Sequence, residues 1–83
     1  MHTVTFDYPD EILHSLNLSP DTFAQELRMA AAAKLYEIGR LSSGRAAVLA
    51  GIPRVTFLRR LSEFGVAAID LSADELEHDL ANA

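Results

Sequence analysis

The stretch SGRAAVLAGIPRVTFLRRL, from Ser43 to Leu61, decides how this chain folds. Short helices joined by a tight turn must cross closely. The first therefore needs a small side chain where the second passes over it, and Ala47 supplies one. Four residues later the chain must reverse, and Gly51 can take the positive φ that the reversal needs. Ile52 is placed to plug the gap between the helices, and Pro53 suits the first turn of the next one. Along that helix Phe57, Leu58 and Leu61 fall on a core-facing side. Arg54, Val55, Thr56, Arg59 and Arg60 are left for the outer face. These are the requirements of a helix-turn-helix.

The charges point to the same region. The net charge of −5 is unpromising for a chain that touches phosphate, but its distribution is uneven. Residues 1–27 hold five acids and no base, and residues 61–83 hold six acids and no base. All seven Lys and Arg lie in residues 28–60, with Glu37 as the single acid among them. Such a block can attract phosphate locally within an acidic protein. On the outer helix face Arg can pair with guanine, and the methyls of Val55 or Thr56 can touch a thymine methyl. The expected DNA contacts are Arg54, Thr56 and Arg59 at base edges, with Val55 beside them, and Arg45, Arg60 and Arg40 on the backbone. Ser42 and Ser43 begin the first helix of the pair and would offer a phosphate-binding N-terminus.

Working outward, Thr3, Thr5 and Asp7 alternate with Val4 and Phe6, which predicts a short half-buried strand. Pro9, Asp10 and Glu11 read as a helix start, and Ile12, Leu13 and Leu16 as a short helix ending near Asn17. Ser19-Pro20-Asp21 opens the longest helix, with Phe23, Leu27, Ala30, Ala31, Lys34, Leu35 and Ile38 at helical spacing and Gly39 at its end. The alanines at 30–33 would let another helix approach closely. Residues 66–69 read as a brief extended run. Ser72 and Glu75 match a capping box for a last helix, in which Leu76 and Leu80 form a thin apolar stripe.

A chain of 83 residues supports one domain, and one this small often gains stability by oligomerising. Its 49% hydrophobic residues are enough for it to fold. The fold expected is mainly α: a short N-terminal strand, a long helix, the helix-turn-helix and an acidic strand/helix tail. Residues 1–65 would form a dimerisation and DNA-binding unit, and residues 66–83 the tail. The absence of cysteine fits a reducing cytoplasm. No basic, apolar leader opens the chain, and no apolar run is long enough to span a membrane.

The residues offer little for catalysis. His2, His14 and His78 stand at no metal-ligand spacing, and the carboxylates Asp74, Glu75, Glu77 and Asp79 lack the pattern of a calcium loop. Ser42, Ser43 and Ser62 have no neighbouring His as base. The expectation is no enzyme, no cofactor and no metal.

The chain as a whole resembles a family of small uncharacterised prokaryotic proteins predicted to be helix-turn-helix antitoxins, encoded beside PIN-domain nuclease toxins. The resemblance rests on Pro9-Asp10-Glu11, on Leu35-Tyr36-Glu37-Ile38-Gly39-Arg40-Leu41-Ser42, on Gly44-Arg45-Ala46-Ala47, on Leu49-Ala50-Gly51-Ile52, and on the acidic tail after Val66. Members of that family often carry an aromatic residue soon after the turn and more acids on the next helix. This chain has Val55, Thr56, Arg59 and Arg60 there instead. The resemblance implies repression of the module's own promoter and neutralisation of a PIN-domain toxin. Val66, Ile69, Leu71, Leu76 and Leu80 would lie in the toxin's groove. A homodimer would present two recognition helices to a pseudo-palindromic operator. Two other readings remain. In one, residues 3–7 enter DNA as a ribbon, but they lack Arg, Lys, Asn and Gln. In the other, the chain is a protein–protein adaptor that binds no DNA.

Overall fold

The computed structural model describes residues 1–68, and these are mainly helical. Four α-helices follow one another: α1 (Asp10–Leu16), α2 (Pro20–Glu37), α3 (Ser43–Ala50) and α4 (Arg54–Arg60). A 3-10 turn at Leu61–Phe64 closes the series. The tail helix, its capping box and Ile69, Leu71, Leu76 and Leu80 lie outside the described residues.

Local sequence sets the ends of the long helix α2. The Ser19 hydroxyl accepts the Thr22 amide, Pro20 takes the first position, and Asp21 stands where the helix dipole favours an acid. At the other end Gly39 turns left-handed at φ 77°. Its amide donates to the Tyr36 carbonyl and that of Arg40 to Leu35, which satisfies carbonyls that the helix itself leaves open. α1 is shorter and lighter. Pro9 flanks it, Asp10 and Glu11 fill its first turn, Asn17 ends it in a left-handed conformation, and it buries no residue.

The core lies where α2 meets α3 and α4. Met29, Ala32, Ala33 and Tyr36 recur at helical spacing on one face of α2. Opposite them stand Ala46, Ala47 and Ala50 of α3, and alanine against alanine brings the two helix backbones close. Phe57 and Leu61, both fully buried, fill the space under α4. The Phe57 ring meets Tyr36 edge-on at 5.8 Å, a favourable aromatic geometry. Leu41, Ile52, Leu58 and Phe64 pack around this centre.

Three expectations need correction. Within the described residues of one chain, 3–7 belong to no regular element, and Val4 and Phe6 are exposed. A strand must bond to a neighbour along its edge, and residues 3–7 make no backbone hydrogen bond to another described residue. The buried face of α2 is also not the stripe read from the sequence. Leu27 and Ile38 are exposed, as are Ala31 and Lys34, while Met29, Ala32, Ala33 and Tyr36 turn inward. Both faces of α2 are apolar enough to be buried, and the position of α3 selects between them. Lastly, Val66, expected in a partner's groove, packs into the core of the chain itself at 7% exposure. Its amide bonds back to the Leu61 carbonyl and seats it there.

Candidate nucleic-acid interface

The helical pair α3–α4 is built from the ends inward. The Ser42 hydroxyl accepts the Arg45 amide at 3.3 Å and starts α3. Gly51 stops it at φ 76°, with its amide donating to the Ala47 and Val48 carbonyls and that of Ile52 to Ala47. A side chain there would be strained, and it would also be crowded. The Arg28 guanidinium lies across Gly51, about 3.1 Å from where a Cβ would stand. Its Nε donates to the Leu49 carbonyl at 2.9 Å. An arginine of the basic block thus clamps the turn from α2.

Two further arginines are committed to structure. Arg54 Nε donates to the Ser43 hydroxyl at 2.9 Å, tying the start of α4 to the start of α3. Ser43 is completely buried, so its hydroxyl serves the interior and does not face a surface ligand. Arg60 donates through Nη2 to Glu26 Oε1 at 2.9 Å and through Nε to Glu63 Oε2 at 3.1 Å. Bonding to Glu63 and then Glu26 raises the Arg60 pKa further, so the group is a fixed cation. The same contact lowers the Glu63 pKa.

Of the sequence-predicted contacts, α4 turns Val55 and Arg59 fully outward, with Thr56 half-buried beside them. Val55 is 67% exposed. Arg59 has no ion pair among the described residues. Arg45 on α3 and Arg40 before it are also exposed, while Ser42 is half-buried and occupied as a cap. Lys34 pairs with Glu37 on α2, and the six arginines fall into two groups. Arg28, Arg54 and Arg60 hold the helical pair in place. Arg40, Arg45 and Arg59 reach the surface.

Sequence reading missed the partners Glu26, Glu63 and Leu49. Only Glu63 left a trace, because it stands three residues after Arg60 on one helical face. It also missed a groove of about 450 Å³ that α2 lines beside the core. Leu16, Leu18, Phe23, Leu27, Ala30 and Phe64 line it, and its walls are almost wholly apolar.

The fold and site define a small, predominantly helical protein with a clamped, arginine-bearing helical pair and a separate apolar groove. The chain belongs to the UPF0175 family, an uncharacterised protein family whose model matches residues 1–83. It is 34% identical over 70 residues to a UPF0175 protein of Aeropyrum pernix, an alignment covering 84% of this chain and 78% of the relative. No solved structure matches it. Among the described residues, no helix is long and apolar enough to cross a membrane.

Proposed function

We propose that this chain is an antitoxin-like DNA-binding protein of a type II toxin–antitoxin module, which represses its own promoter and neutralises a PIN-domain nuclease. One observation carries the DNA-binding half. A short helix, locked by Arg54–Ser43 and Arg60–Glu26 bonds, presents Val55, Thr56 and Arg59 on its outer side after a tight glycine turn. That combines a rigid mount with base-reading chemistry. Arg40 and Arg45 would add phosphate contacts, with Ser42 beside them. Arg54 and Arg60 act as positioning residues, and a pair of copies would place two such helices on one operator. The toxin-neutralising half rests on the resemblance stated above and on the acidic residues after Val66.

The deciding experiment is a titration of the full chain against its own upstream DNA and a scrambled duplex at two salt concentrations. Preference for the upstream duplex, falling steeply with salt, is the expected result. Absence of binding to both duplexes, with and without the neighbouring gene product, would reject the reading. It would favour the second one, a protein–protein adaptor, to which the apolar groove and the net charge of −5 are the features best suited.

A further inference from the structure

Beside the core, α2 borders a second apolar surface among the described residues. Its groove opens among Leu16, Leu18, Phe23, Leu27, Ala30 and Phe64. Beside it runs the arm of residues 3–7. Tyr8 packs tilted against Phe23 with ring centroids 4.8 Å apart, and Phe6 follows Tyr8 at 6.1 Å. The apolar side of the arm is thus continuous with the groove. Yet Val4 is 88% and Phe6 55% exposed, and residues 3–7 make no backbone hydrogen bond to another described residue. An alternating apolar segment whose edges bond to no described residue is suited to pairing.

We infer that this surface is the seat of a second copy of the same chain: two arms pair as an antiparallel ribbon centred on Thr5, and the ribbon covers the grooves of both copies. The sequence of the arm is self-complementary in this register. Thr5 meets the partner's Thr5, and Val4 meets the partner's Phe6. Thr3 meets the partner's Asp7, so the only charge in the arm faces a hydroxyl and never its like. β-branched against aromatic, and threonine against threonine, are favourable cross-strand pairs. A two-fold axis demands this kind of self-matching patch. A small core also gains most from a second copy. The inference supplies the surface for the pairing of copies named under the proposed function, and it stands or falls without DNA.

The test uses the full chain in sedimentation and light-scattering measurements over a range of concentrations. The wild type is expected to be a dimer. Val4→Asp with Phe6→Asp changes two exposed side chains, so it should keep the helical circular dichroism. It should raise the dimer dissociation constant about 100-fold or more. The chain has no cysteine, so single cysteines report the register. Thr5→Cys should cross-link readily on mild oxidation, because directly opposed Cα atoms about 4.5–5.5 Å apart suit a disulfide. Thr3→Cys should not, because its symmetry mate would lie about 14 Å away along the ribbon. A monomeric wild type would overturn the inference and point to a segment of the same chain in the groove. A double-aspartate variant that stays dimeric, or equal cross-linking at positions 3 and 5, would also overturn it. A dimer that passes these tests but ignores its upstream DNA would leave this surface intact and defeat only the DNA-binding reading.

Discussion

The two sides of α2 are both apolar, and they behave oppositely. On one, Met29, Ala32, Ala33 and Tyr36 are sealed by α3 and α4. On the other, Phe23, Leu27 and Ala30 line an open groove, with Val4 and Phe6 exposed beside it. The sealed side faces alanines and one large aromatic ring, and its helix ends are capped and clamped. The open side faces α1, seven residues that bury nothing, and an arm with no pairing partner among the described residues. The difference teaches that hydrophobicity makes a face eligible for burial, while the covering element decides whether burial happens.

The sharpest way to break this comparison is to truncate one residue that seals α2 and one exposed residue at its end. Phe57→Ala should cost about 3–5 kcal/mol in urea unfolding, since it opens a cavity among residues with no other filler. Ile38→Ala, on an exposed residue, should stay within about 0.5 kcal/mol. Equal losses would mean that the sealed side is not the core.

Next in size is the turn. Gly51→Ala forces a left-handed non-glycine residue and pushes on Arg28, and should cost about 1–3 kcal/mol. Adding Arg28→Ala should recover the crowding but not the strained φ, so a double-mutant cycle will show partial coupling. Full recovery would shift the cause from backbone to clamp.

The arginines sharpen the comparison on the functional side. Arg59→Ala should weaken operator binding by about 1–3 kcal/mol, roughly tenfold or more, while leaving thermal stability within about 0.5 kcal/mol. Arg60→Ala should lose up to about 1 kcal/mol of stability, because it releases Glu26 and Glu63 from a partly exposed network. If the two variants behaved alike in both assays, the division into surface and structural cations would fail.

The smallest effect expected is a pH dependence. The Glu63 pKa is lowered in the folded chain by its bond to Arg60, so the unfolded state binds its proton more tightly. The stability this adds is present above the ordinary carboxylate range and is lost as pH falls through the lowered folded value. Thermal melts of Glu63→Gln and wild type should therefore differ slightly at neutral pH and converge in acid.

How much of this was legible in the sequence depends on the range of the interaction. Ser19 and Pro20 marked the start of α2, Asn17 the end of α1, and Gly39 and Gly51 the ends of α2 and α3, because caps and left-handed turns are settled by residues a few positions apart. Ala47, Phe57 and Leu61 read correctly as inward for the same reason: tight crossing of neighbouring helices admits few side chains. Membership of an uncharacterised family was recognisable too, since the residues that carry it fall in short contiguous stretches. Which side of α2 is buried was not legible. Nor were the clamp from Arg28 to Leu49, the bond of Arg60 to Glu26 across 34 residues, or the withdrawal of Ser43 and Val66 into the interior. The sequence by itself determined where helices start, stop and turn. Only the tertiary structure decided which apolar face is covered and which arginines remain at the surface, because both depend on what long-range packing brings alongside α2.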